Sequence, residues 1–101
     1  MQNWNPYDSG KTISTTGIDN GVIINDEEFL NDARITLESD GHAPYSISCG
    51  IYGVMFHTAF AKDHADAINK YEEMKAAIVD FINDKNNTDV SDWCGWFADK
   101  F

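Results

Sequence analysis

Hydrophobic and polar positions change period several times along the chain, and each change marks an element. Ala33, Ile35 and Leu37 alternate with Arg34, Thr36 and Glu38, the period of two expected of a β-strand with one buried and one wet face. Tyr45, Ile47, Cys49 and Ile51 then alternate with Ser46, Ser48, Gly50 and Tyr52. Beyond Gly53 both faces turn apolar, through Val54, Met55, Phe56 and Phe60. Isolated glycines mark bulges, bends and tight turns alike. Residues 45–60 therefore read either as one long strand bent at Gly50 or Gly53, or as a hairpin turning between Cys49 and Gly53. Before them, Asp40 and Gly41 suit a tight turn, and Pro44 is out of place in a central strand.

From Lys62 to about Lys85 the period lengthens. Ala65, Ile68, Tyr71 or Glu72, Lys75, Ile78 or Val79 and Ile82 recur near spacings of three and four, and Ala67, Met74, Ala76, Ala77 and Phe81 widen the stripe into an amphipathic helix. Asp63 and Asp66 suit its positive end and Lys85 its negative end. Asp66 and Lys70 are spaced for an i,i+4 ion pair, and Asn86 to Asp89 stop the helix. A second, short helix starts at Asp89 or Ser91 and carries Val90, Trp93, Trp96, Phe97 and Phe101 on one side. A helix this brief is marginal alone, and Gly95 weakens it further, so its aromatic stripe has to pack on the domain or on another chain.

The first thirty residues are less periodic. Lys11 to Asn25 is rich in Thr, Ile and Val and is split by Asp19-Asn20-Gly21; Asn20-Gly21 is the strongest short hairpin signal and predicts strands at 12–18 and 22–25. The acidic run after Asn25 reads as the end of that pattern, with Asp26 capping a short helical turn through Leu30, or as a loop that dips Phe29 and Leu30 into the core. The expected architecture is a single α+β domain over residues 1–101, with 1–10 an irregular N-terminal arm. Its body is an antiparallel four- to five-stranded sheet with a long helix and a short C-terminal helix packed on one face.

Charge narrows the choice of partner. Seven Lys and Arg against seventeen Asp and Glu leave 101 residues with a net charge of -10, which disfavours nucleic acid and anionic membrane. No apolar run reaches the length of a membrane span and no signal-peptide pattern opens the sequence, so the expected location is cytoplasmic and Cys49 and Cys94 are expected to be reduced.

Candidate chemistry is sparse. On a straight strand Cys49 and His57 stand roughly 26 Å apart, which separates a nucleophile from its base; only a hairpin brings them together. The two cysteines lack the short ligand spacing of a zinc site. Residues 84–92 resemble a calcium loop only superficially, because Asp89 stands where its glycine belongs and Gly95 where its bidentate glutamate belongs. Gly50-Ile51-Tyr52-Gly53 lacks the third glycine of a dinucleotide fingerprint. No catalytic residue, metal ligand or cofactor is assigned.

These observations favour a small, acidic, non-enzymatic protein-interaction module, one form of which is an inhibitor or immunity-type protein that occludes a basic partner. Its expected contact residues are Asp26, Glu27, Glu28, Asp32, Glu38 and Asp40 for steering, with Trp93 and Trp96 for contact energy. The alternative is a small-ligand-binding or enzymatic domain with a pocket between the sheet and the long helix, lined by Tyr45, Cys49, Tyr52 and His57. Self-association through the sheet edge or the tail aromatics is a third possibility.

Overall fold

The computed structural model describes residues 4–84 and 89–101. Five strands, β1 (Trp4–Pro6), β2 (Val22–Phe29), β3 (Ala33–Ser39), β4 (Tyr45–Ile51) and β5 (Met55–Ala61), precede two helices, α1 (His64–Asn83) and α2 (Val90–Lys100). The strands form one antiparallel sheet in chain order, with both helices on one face. Each strand thus pairs with its neighbour in sequence, which short connections allow.

The inner face, under the helices, follows from the alternation. Register sets Phe29, Ala33 and Ile51 in one row, and Leu37 and Ile47 in another with Ala59 beyond them. Ile35, Leu37 and Ile47 are completely buried, as are Ala67, Tyr71, Met74 and Ile78 of α1 and Phe97 of α2. The α1 positions are spaced by four, three and four, so they fall on one side of the helix. Burying each large side chain contributes about 1.5–3 kcal/mol before the loss of conformational freedom.

Both helices begin on aspartate caps. Asp63 accepts from the Asp66 N–H at 2.8 Å and Asp89 from the Asp92 N–H at 3.0 Å, satisfying amides that have no partner within the helix. Lys70 and Asp66 form the expected i,i+4 pair at 3.5 Å. The expected role of Lys85, and that of Asn86 to Thr88, lies outside the described residues. No helix among the described residues is long and apolar enough to cross a membrane.

One open choice closes in favour of the hairpin, and two local expectations change. Residues 45–61 form a hairpin, closed by the Ile51–Met55 pair, with Gly53 at a φ of 76°, a conformation that glycine adopts without a steric penalty. Within the segment read as an irregular arm, Trp4–Pro6 is a short edge strand on β2, and Trp4 packs on Phe29 with ring centroids 5.4 Å apart. The acidic run does not end β2 or start a helical turn: the strand continues to Phe29, because each of its acids finds a partner on one face or the other.

The predicted strand at 12–18 is replaced by an irregular strap, residues 11–21, lying across the outer face of the sheet. It keeps part of the hairpin signal: Asn20 has a φ of 65°, Ser14 donates to the Ile23 carbonyl and Ile23 donates to that of Thr15. Regular pairing is lost where the strap meets the turn after β3. There Gly21 and Gly41 pass so closely that a Cβ on Gly41 would collide with the Asp19 carbonyl and the Gly21 backbone. We expect Gly41→Ala to cost about 1–3 kcal/mol, as overpacking does. Gly95→Ala, in open space on α2, should instead add roughly 0.5–1 kcal/mol of helix propensity. Urea unfolding of both variants checks the contrast.

Candidate functional site

The outer face of the sheet carries the alternate set of strand positions: Asp26 and Glu28 on β2, Arg34, Thr36 and Glu38 on β3, Ser46, Ser48 and Gly50 on β4, and Phe56, Thr58 and Phe60 on β5. A polar sheet face would ordinarily stay wet. Here the strap covers one side of it, and the β4–β5 hairpin stands up on the other. Between them runs an open groove of about 720 Å³, with Arg34, Thr36, Ser48 and Gly50 along its floor. Thr12, Thr15, Thr16 and Ile18 line the strap side, and Tyr52, Val54 and Phe56 the hairpin side.

Two buried carboxylates hold the strap down. Asp26 receives Arg34 in a two-pronged ion pair, Nε at 2.9 Å and Nη2 at 2.6 Å, together with the hydroxyls of Thr36 at 3.1 Å and Thr12 at 2.8 Å. Thr12 belongs to the strap, so this pair ties strap to sheet. Tyr7 lies over the guanidinium, 3.6 Å from ring centroid to Cζ, a cation–π contact on its other side. The Asp26 hydrogen bond, more than any other contact, raises the pKa of Arg34 above its already high ordinary value.

Glu38, 1% exposed, accepts the N–H of Asp19 at 3.1 and 3.3 Å and that of Gly21 at 3.1 Å. Gly17 passes directly over this carboxylate, where a Cβ would collide with it. Along the groove rim, the Tyr52 hydroxyl donates to Glu28 at 2.8 Å. Partial burial of the phenol and then this acceptor push its pKa up to about 12. The Tyr52 N–H also donates to the Asp32 carbonyl at 2.9 Å, which joins the hairpin to the β2–β3 turn.

This arrangement corrects the acidic docking surface expected over residues 26–40. Asp26 and Glu38 are buried and cannot meet a partner, since both serve to hold the strap. Glu27 lies on the inner face, where it accepts from the Tyr71 hydroxyl at 2.7 Å and from Lys75 Nζ at 2.9 Å. Burial first, and Glu27 second, raise the Tyr71 pKa well above its ordinary value. Glu28 is engaged by Tyr52, and only Asp32 and Asp40 of the six are exposed. Trp93 is half-buried, stacked on Phe81 at 4.3 Å and set against Phe97 at 5.0 Å; Trp96 is half-exposed.

The pocket expected between sheet and long helix is likewise displaced, because Tyr71, Met74, Ile78 and Phe97 fill that space. Tyr45, Cys49 and His57 belong to the inner-face set of strand positions while Tyr52 stands on the rim of the outer groove, so the four do not converge. The hairpin does place Cys49 opposite His57. Burial, however, pushes the thiol up to about 12, against a smaller lowering by a hydrogen bond with the His57 backbone, and the His57 ring packs edge-on to Phe97 at 5.7 Å. A buried, protonated thiol is a packing residue. Among the described residues no group of three or more His, Cys, Asp and Glu side chains is placed to hold a metal ion.

Sequence reasoning missed Ile18, Val54 and Phe56 as rim residues. The signal was present for Phe56 and Phe60, which fall in register with Gly50 and Ser46 and therefore on the face that the serines mark as polar.

Comparison with known proteins finds no family model, no curated protein and no solved structure that matches this chain.

Two outcomes follow from the site. Asp26→Asn keeps the shape but leaves Arg34 facing a neutral group; with Arg34 about one-third exposed, we expect a loss of about 2–3 kcal/mol, below the range for fully buried pairs. Chemical denaturation measures it. Cys49 should also resist iodoacetamide at pH 8, since raising its pKa from 9.0 to about 12 lowers its thiolate fraction roughly a thousandfold. Peptide mass mapping should find Cys94 alkylated first and Cys49 only after unfolding.

Proposed function

We propose that this chain is a protein-interaction module without enzymatic activity, and that a basic partner docks in the outer groove between the strap and the β4–β5 hairpin. The observation that carries this reading is the apolar rim of that groove: Ile18 is 70% and Phe56 61% exposed, and Tyr52 and Val54 stand beside them. Large apolar side chains gathered around a concave surface are the usual source of contact energy in recognition. The net charge of -10 gives the partner its sign. With Asp26, Glu27, Glu28 and Glu38 engaged inside the fold, steering falls to exposed acids such as Asp32 and Asp40 and to the long-range field. An inhibitor or immunity-type role toward a basic protein, acting in the cytoplasm, is the specific form proposed.

The groove volume also lies within the range of small-ligand sites, so a small-ligand-binding role is the second reading. A photo-crosslinking residue at position 18, in the full chain expressed in its source cells, separates the two. The expected adduct is a basic protein that Val54→Asp weakens at least tenfold and that rising salt also weakens. An adduct of acidic protein, or one indifferent to Val54→Asp, overturns the reading. Absence of a protein adduct together with a small molecule retained in native mass spectrometry favours the second.

A further inference from the structure

We propose that β5 is a self-recognition edge, where two copies of the chain pair their β5 strands antiparallel about a two-fold axis at Thr58, joining two five-stranded sheets into one. The two edges of the sheet differ in how they end. β1 is three residues long and finishes in Pro6, the short, proline-ended form by which proteins close an edge to further strands. β5 is seven residues, Met55-Phe56-His57-Thr58-Ala59-Phe60-Ala61, with no proline, lysine or carboxylate. Nothing in its own sequence blocks another strand.

The side chains of β5 are symmetric in the way a two-fold axis requires. Phe56 precedes Thr58 by two residues and Phe60 follows it by two; both lie on the outer face, 61% and 54% exposed. Antiparallel pairing centred on Thr58 puts Phe56 opposite Phe60 of the second copy, and Phe60 opposite Phe56. Residues directly opposite have Cβ atoms about 4.5–5.5 Å apart, within reach for aromatic contact. On the inner face the same register sets His57 against Ala59 and Met55 against Ala61, a large residue beside a small one each time. An isologous contact of this kind closes at two copies and does not propagate.

Charge selects a second copy over a foreign strand. A basic partner is attracted to acids, and β5 has none. A copy of this chain carries the same charge of -10 and approaches best along an uncharged strip. The four phenylalanines remove roughly 450 Å² from water at ~200 Å² for each whole side chain. With the paired backbone edges added this stays at the small end of interfaces, below about 1,200 Å², so the association is expected to be weak and concentration-dependent. Lys70 guards the edge in the free chain: its Nζ donates to the Phe60 carbonyl at 2.7 Å while standing 3.5 Å from Asp66. On pairing it yields that carbonyl to the incoming strand and stays with Asp66.

The pairing shares Phe56 with the groove rim, but its test changes Phe60, Lys70 and Thr58 and leaves Ile18 and Val54 unchanged. Sedimentation equilibrium of the full chain, from about 1 to 300 μM, should show monomer and dimer only. Raising salt from about 50 to 500 mM should strengthen the dimer, because like charges are screened; docking of a basic partner responds in the opposite sense. Phe60→Asp, at a half-exposed position that tolerates charge in the folded monomer, should weaken association at least tenfold. Lys70→Met should tighten it several-fold. A Thr58→Cys variant, in a Cys94→Ser background, should cross-link to itself with a short bis-maleimide, since residues opposed across the two-fold axis have Cβ atoms only about 4.5–5.5 Å apart. A chain that stays monomeric to the highest concentration at both salts overturns the proposal, as does a dimer unaffected by Phe60→Asp, a dimer that salt dissolves, or a folded Thr58→Cys variant that does not cross-link.

Discussion

The structure depends on how two carboxylates, Asp26 and Glu38, are buried and hydrogen-bonded beneath a strap of backbone. Removing a carboxylate from water costs several kcal/mol unless hydrogen bonds and opposite charge replace the lost hydration. The two acids meet that cost differently. Asp26 takes a guanidinium and two hydroxyls; Glu38 takes backbone N–H groups of Asp19 and Gly21. In both cases part of the compensation comes from residues 11–21, so the strap cannot lift without exposing a carboxylate to loss of its partners. The covered outer face, the continuation of β2 through an acidic run and the strap wall of the groove all follow from this.

The inner face obeys the more familiar rule of apolar burial, with one polar tie across it. Glu27 sits on a strand under α1, and Tyr71 and Lys75, one turn apart on the helix, both reach its Oε1. Nonspecific apolar contact lets a helix slide or rotate over a sheet. A hydrogen-bonded ion pair at the boundary of the core penalises such shifts, because each displaced group would be left partly buried without a partner. Lys75 in addition lies 5.6 Å from the Trp4 ring centroid, so the same ammonium connects α1 to the edge strand β1.

How much of this is legible in the sequence follows from where the information lies. The period of β3, the alternation of β4 and the long stripe of α1 are local patterns, and the sheet with helices on one face follows from them. The β2 acids were misread because propensity places Asp-Glu-Glu outside strands, while their partners Arg34, Thr36, Tyr52, Tyr71 and Lys75 lie 8 to 48 positions away. Only tertiary structure brings those together. The strap is hidden for the same reason: Asn20-Gly21 does make a tight turn, but the approach of Gly17 to Glu38 and of Gly21 to Gly41 depends on residues from separate parts of the chain. For the candidate site, alternation correctly separates Cys49 from Tyr52 but cannot say which face the chain will cover with its own strap.

The division of charge between faces and edges gives the surface its character. Most of the acids expected to form a docking surface are used as internal fasteners, which leaves apolar side chains, Ile18, Val54, Phe56 and Phe60, as the exposed features of the outer face. A chain with a net charge of -10 would be expected to place charge along a long free edge, since a single lysine or glutamate there blocks unwanted pairing. β5 instead places its neighbours' Lys70 over one carbonyl and keeps its own seven residues neutral. Under the proposed pairing, a removable guard over an otherwise unblocked edge would limit association without preventing it, and the self-repulsion of the acidic surface would supply the rest of that limit.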